Sequence, residues 1–350
     1  MLSSLLASSL ALSAPAAAAP QAQLTALAGG RLAPESTVLL PSGWESEFEP
    51  GALAALDAEL RLGGAGGAWC SFGGDAWGYA PEGEATSLGG RAALGWSGGG
   101  DAARVDVAGR YDLEWYPSWA AGLDGRGELM ARAALGEGLV FRPRVSVVDR
   151  RYLDVPSASF SYAVAIAELG LPLNGPVAVD LGAGGQVNQD QGFGSEGLVG
   201  AQLRGLARLT ASGGPWHGSL EYWLTGALQG EAEHDVRPLF TPWSDYSEDA
   251  DALSGGGFVQ HRLSLTGAVV SGKWTVSVGA LGRLRTAGED ELAAAYAQTG
   301  QVRVEVDRAL GGGVVLFGSV GAASATSPAG LGYGDAWGWA GLRWRPGSGG

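Results

Sequence analysis

Among 350 residues the chain holds one cysteine, Cys70, one lysine, Lys273, and three histidines. A single thiol cannot close an intramolecular disulfide, so a small stapled fold is excluded. Cys70 also lies far from the N-terminus, so it is not a lipid-acylated first residue, and it reads as an incidental loop position. After the N-terminal segment no apolar run approaches eighteen residues, which excludes a polytopic helical membrane protein. The 61 glycines show no G-X-Y period, so collagen is excluded as well. A formal charge of −14 leaves no basic patch for nucleic acid. No paired Cys/His spacing marks a metal site, and G-x-G strings are expected by chance in so glycine-rich a chain, so neither metal nor cofactor is expected.

What the chain does have is alternation. Residues 103–115 read ARVDVAGRYDLEW. Val105, Val107, Tyr111, Leu113 and Trp115 fall on one parity, and Arg104, Asp106, Arg110, Asp112 and Glu114 on the other. A two-residue period puts alternate side chains on opposite faces of a β-strand. Similar runs recur to the end of the chain, at 52–62, 88–96, 122–135, 139–148, 160–169, 177–188, 198–210, 216–229, 258–270, 273–286, 300–309, 314–324 and 336–345. With 103–115 this makes about fourteen strands, most near the ~10 residues that a tilted strand needs to cross a bilayer.

The connections alternate in length. Short turns such as 136–138, 211–215, 271–272 and 310–313 take turns with long links such as 63–87, 149–159, 230–257, 287–299 and 325–335. A soluble meander has no reason to keep that rhythm. On the apolar parity Trp96, Trp216, Trp274 and Trp344 all sit at the short-turn end of their strands. Trp115 sits at the opposite end, joined there by Phe160 and Tyr162. Aromatic rings favour the bilayer–water interface, so two belts are the expected arrangement.

These features together resemble the Gram-negative outer-membrane β-barrel class, porin-like, over nearly everything after residue 52; no subfamily motif stands out. The resemblance implies an all-β, transmembrane, antiparallel up-and-down barrel of about fourteen strands, with both termini periplasmic. The final strand, WGWAGLRW, is similar to the C-terminal signal that such proteins show their insertion machinery, through Trp339, Gly341, Leu342 and Trp344. The chain departs from that signal by running on through Arg345 and Pro346. Before Arg31 there is no charged side chain, and an apolar stretch at 5–12 precedes small residues. Residues 1–22 therefore read as a secretory signal peptide, although no Lys or Arg supplies its n-region. Residues 23–51 read as a periplasmic or plug segment, 52–345 as the barrel and 346–350 as a tail.

Arginine gathers on the polar parity. Arg104, Arg110, Arg126, Arg132, Arg142, Arg144, Arg204 and Arg208, with Asp106 and Asp112, are the expected lumen and constriction residues. Arg262, Arg283, Arg285, Arg303 and Arg343 share that parity, as do Glu114, Asp124, Glu128, Glu221, Glu305 and Asp307. A charge facing lipid at mid-membrane costs ~2–4 kcal/mol, so these positions must face water. Surplus acid lies in 230–257 and 287–299, where solvation of long loops is favoured over calcium bridging to lipopolysaccharide.

The reading that follows is a pore or transporter for small hydrophilic solutes. A structural or adhesion barrel acting through its loops is the alternative, with the aromatic stretch Trp69, Phe72, Trp77 and Tyr79 as a partner surface. A hydrolase is the weakest option. His217, Ser219 and Glu221 lie on one face of one strand, which is not by itself a triad geometry, and no enzymatic activity is expected. The expected partners are outer-membrane lipid, lipopolysaccharide, the insertion machinery and a small polar solute. A homo-oligomer is compatible with the pattern but is not marked by it.

Overall fold

A strand at the edge of a sheet leaves a row of backbone N–H and C=O groups unpaired, and closing the sheet is the one arrangement that removes every edge. The computed structural model does this with sixteen antiparallel strands. It describes residues 21–40, 43–63, 67–80, 87–116, 120–136, 138–152, 160–173, 175–190, 197–230, 258–287, 298–326 and 332–345. In chain order the strands are β1 (Gln21–Leu40), β2 (Gly43–Gly63), β3 (Gly67–Ala80), β4 (Ser87–Gly99), β5 (Ala103–Tyr116) and β6 (Ala120–Gly136). There follow β7 (Leu139–Tyr152), β8 (Phe160–Pro172), β9 (Val177–Asp190), β10 (Gly197–Gly213) and β11 (Trp216–Gly230). The last five are β12 (Phe258–Ser271), β13 (Trp274–Ala287), β14 (Gln298–Gly311), β15 (Val314–Thr326) and β16 (Gly332–Trp344).

Each strand pairs with its sequence neighbours, and β1 closes the ring on β16 from Leu24↔Trp344 to Leu32↔Ala336. An even number of antiparallel strands brings both ends of the barrel to one rim, where Arg345 Nε donates to Gln23 Oε1 at 2.8 Å. That rim also holds the tight turns. Ser271 pairs with Trp274 around Gly272 (φ 59°), and Gly213 with Trp216 around Gly214 (φ 54°). Glycine is needed at both because the two-residue hairpin turn puts its first central residue at positive φ.

The count of sixteen corrects the expected fourteen, and the two additional strands are β1 and β3. Residues 23–51 are not a plug, since they lie in β1 and β2 apart from 41–42, which fall outside the described residues. The stretch expected to be the long loop 63–87 contains β3 in full register with β2, from Ala52↔Ala80 to Gly63↔Trp69. Trp69, Phe72, Trp77 and Tyr79 are therefore strand residues, and so is Cys70, opposite Leu62. Both strands escape periodicity for the same reason: glycine and alanine fill so many of their positions that neither face stands out. The expected signal peptide lies outside the described residues up to residue 20, while Gln21 and Ala22 open β1. The tail 346–350 and the long connections 231–257 and 288–297 also lie outside them.

Alternation sorts the side chains as the sequence suggests, except where bulky apolar residues take the charged parity. Leu94, Leu203 and Val320 on the apolar parity are 69%, 57% and 60% exposed, an apolar display that a soluble protein does not leave bare. On β8, however, Tyr162, Val164 and Ile166 share the face of Glu168 and pair with residues of the charged parity, including Arg144. The expected outward position of Tyr162 is thus incorrect. It is buried with Val148 and Ile166 against Trp223, while Ala163, Ala165 and Ala167 take the other face. Trp337 and Trp339 likewise stack on the charged parity, with centroids 5.8 Å apart.

Strand packing leaves no room at Gly184, where an added Cβ would come within 2.8 Å of Ile166 Cα and collide with the Ala165 carbonyl. Nothing lies near the corresponding position at Gly205. Gly184→Val is expected to cost ~1–3 kcal/mol through overpacking, and Gly205→Ala to be neutral or slightly stabilising. The urea unfolding midpoint of the refolded barrel measures both.

Candidate functional site

The charged parity is held together by ion pairs, several of which reach over an intervening strand. Arg142 on β7 donates from Nη2 to Asp180 Oδ1 on β9 at 2.8 Å. Arg208 on β10 reaches Glu168 on β8 at 3.2 Å, Asp180 at 3.4 Å and Glu221 on β11 at 2.6 Å. Trp223 Nε1 donates to the second Glu221 oxygen. Glu168 and Asp180 are buried, and Arg208, together with Arg142 at Asp180, supplies the positive charge that compensates their desolvation. Neighbouring strands lie ≈ 4.7–4.9 Å apart, so strands two apart are roughly 10 Å apart; a long arginine spans that gap readily on the concave side of a curved sheet.

The same construction recurs around the barrel. Arg91 on β4 pairs with Asp57 on β2, and lies 3.8 Å from Glu59 and 3.7 Å from Asp75. Gly73 makes this reach feasible, since a Cβ there would come within 2.7 Å of Arg91 Nε. On β16, Arg343 lies 3.6 Å from Glu305 and 3.5 Å from Asp307 of β14. Arg303 pairs with Glu305 and donates to Ser319 Oγ at 3.1 Å. Arg285 donates to Gln260 at 2.9 Å.

The β5–β6 wall is built differently. Arg104 and Asp106 pair along one strand at 3.0 Å, and Arg110 and Asp112 at 2.6 Å. Across the hairpin like faces like: Arg104↔Arg132 and Arg110↔Arg126 are direct partners in the register. Like charges opposite one another are destabilising unless water or counter-ions screen them. The Arg110 side chain is 44% exposed and Arg132 is exposed, so water does reach this wall. Arg144 approaches Glu128 at 4.0 Å, and Arg204 donates to Gln202 at 3.4 Å.

Sequence reasoning assembled Arg104 with Asp106 and Arg110 with Asp112, and placed Arg142 and Arg208 on one face. It missed Asp57, Glu59, Asp75, Arg91, Glu168 and Asp180. A usable signal existed for two of these: Glu168 and Asp180 are isolated charges in otherwise apolar runs, and such charges need partners.

On the opposite parity Trp96, Trp216, Trp274 and Trp344 are all exposed and stand near the tight-turn rim. The side chain of Trp115 lies outside the described residues. His261 is also on this parity, and its Nδ1 shares a 2.7 Å hydrogen bond with Tyr222 Oη. His217, Ser219 and Glu221 do not join into a relay: Ser219 bonds Thr266 at 2.7 Å, and Glu221 is engaged by Arg208 and Trp223. Among the described residues no three His, Cys, Asp or Glu side chains converge as metal ligands.

No family model and no curated protein sequence matches this chain. Solved structures do match in shape. CdiB from Acinetobacter baumannii aligns at TM-score 0.51 and 7% identity, covering 92% of this chain and 60% of its own. A bacterial polysaccharide outer membrane secretin gives 0.49 at 10% identity, over 93% and 98% of the two chains. The outer membrane channel DcaP of Acinetobacter baumannii gives 0.49 at 9%, over 93% and 96%. At such identities the likeness concerns the fold, a large closed β-barrel.

Arg208→Met takes an ion-pair partner from Glu168, Asp180 and Glu221, of which Asp180 keeps Arg142. Stability is expected to fall by roughly 2–3 kcal/mol, less than for a fully buried pair because a quarter of the Arg208 side chain meets solvent. Urea unfolding of R208M, E221Q and the double variant should give a non-additive cycle.

Proposed function

We propose that this chain is an outer-membrane pore for small hydrophilic solutes, with a water-filled, arginine-rich lumen. The observation that carries the reading is the set of ion pairs spanning alternate strands. Arg142–Asp180, Arg208–Glu168, Arg91–Asp57 and Arg343–Glu305 all lie on one parity, and their reach over an intervening strand supports taking that parity as the concave one. The exposed Leu/Val parity is then the convex surface, matched to hydrocarbon rather than water. Sixteen strands exceed what side chains alone can fill, and barrels of this size leave an aqueous channel.

Within that lumen the arginines divide into two groups. Arg142 and Arg208 are committed to Glu168, Asp180 and Glu221, and they brace the wall. Arg110 and Arg132 are exposed on the β5–β6 wall, and with Arg104, Arg144, Asp106 and Asp112 they form the strip of charge a passing solute meets. A strip of guanidinium groups lowers the barrier for small anions. Trp96, Trp216, Trp274 and Trp344 form the aromatic belt of one interface, and the tight-turn rim with both chain ends faces the periplasm. The segment before β1 acts as the export signal, β16 engages the insertion machinery, and the long connections face lipopolysaccharide.

Two measurements test this. In planar bilayers under a salt gradient the parent protein should conduct with a reversal potential favouring anions. The triple variant R104Q/R110Q/R132Q should keep its open conductance while that potential moves toward zero or cation preference; an unchanged potential rejects the constriction assignment. Separately, Val276→Arg on the convex parity should destabilise the inserted barrel by ~2–4 kcal/mol, whereas Ser277→Arg beside it should be close to neutral, as read by vesicle-based urea titration.

A further inference from the structure

Among the described strand residues, arginine occurs on the apolar parity at two places, Arg151 and Arg308. Arg151 lies toward the rim of the long connections and pairs with Asp149 on the same face at 3.0 Å. Arg308 has no carboxylate within salt-bridge distance among the described residues. It lies near the opposite rim, directly across from Trp274 in the β13–β14 register, with its guanidinium carbon 5.0 Å from the indole centroid. Lys273, the one lysine of the chain, precedes Trp274 in the tight turn, and its carbonyl accepts the Ala309 N–H at 2.8 Å. Arg308 and the indole are therefore held together on the apolar parity, and Lys273 adjoins them in the tight turn as an exposed second cation.

We infer that Lys273, Trp274 and Arg308 form a binding site for the phosphate of an anionic phospholipid in the leaflet beside the tight-turn rim. This rests on the proposal that the convex face meets lipid. A guanidinium at that depth needs a counter-charge, and the strand next to it offers none: outward neighbours on β15 are Val314, Leu316 and Gly318. The indole holds the guanidinium by cation–π contact, and its ring occupies the headgroup level that aromatic belts favour. A lipid phosphate supplies the charge-assisted acceptors that Arg308 lacks, while its acyl chains lie along Val276, Val278, Val304 and Val306. The chain as a whole carries −14, so its general field repels anionic lipid. A preference for such lipid has to come from a local site.

The test uses the full barrel in neutral detergent, examined by native mass spectrometry after equal additions of phosphatidylglycerol or phosphatidylethanolamine. The parent should retain phosphatidylglycerol about tenfold more strongly. The double variant K273Q/R308Q should fall to the phosphatidylethanolamine level, and W274L, with both cations intact, should fall part of the way. R151Q at the far rim should match the parent. Equal retention of the two lipids by the parent, or undiminished phosphatidylglycerol retention in K273Q/R308Q, overturns the site. Heat-modifiable gel mobility of every variant confirms that it is folded. Failure of the lipid-facing reading has a separate signature: the parent itself would not insert into phosphatidylethanolamine vesicles.

Discussion

Closure of the sheet is the constraint from which the rest follows. Once β1 pairs with β16, every strand has a partner on each side and no backbone edge is left to satisfy. A closed sheet has only two faces, concave and convex, so the two-residue period of each strand sorts its side chains between them. The same geometry dictates how charge can be accommodated. On the concave side, side chains of alternate strands converge, which is why Arg142 reaches Asp180 and Arg208 reaches Glu168. On the convex side they diverge, and among the described strand residues the arginines there, Arg151 and Arg308, stand near the rims.

The concave wall is not electrostatically uniform. From β7 to β11 the charges are mutually neutralised: Arg208 alone contacts three carboxylates, and an apolar cluster of Val148, Tyr162, Val164 and Ile166 packs nearby. Between β5 and β6 arginine faces arginine, an arrangement that adjacent water and mobile ions can stabilise. In the proposed function one side of the barrel braces the wall, while the other meets the solute. This asymmetry gives a physical basis for assigning bracing roles to Arg142 and Arg208 and solute contact to Arg104, Arg110 and Arg132.

How much of this could be read from the sequence depended on side-chain contrast. In strands such as β5 apolar and charged residues alternate sharply, and every strand from β5 onward is legible as a run of its own. In β1 and β3 glycine and alanine occupy both parities, so the period vanishes although the backbone still forms full ladders with its neighbours. Tyr162 misled for a different reason. Hydrophobicity normally marks the lipid face, but the β8 wall stacks its bulky residues inward and leaves Ala163, Ala165 and Ala167 outside. The cross-strand partners Asp57, Glu168 and Asp180 depend on register between strands two apart, which no single-strand pattern encodes.

The sidedness of one strand is the most direct test. In a Cys70→Ser background, single cysteines at Gln301 and Val302 sit next to each other on β14 with opposite parity. With the protein inserted in vesicles, Gln301→Cys should react with a small water-soluble maleimide. Val302→Cys should resist it, and a fluorophore attached there should be quenched by lipid-borne quenchers. Equal reactivity at both positions, or aqueous labelling of Val302→Cys with protection of Gln301→Cys, would contradict the account.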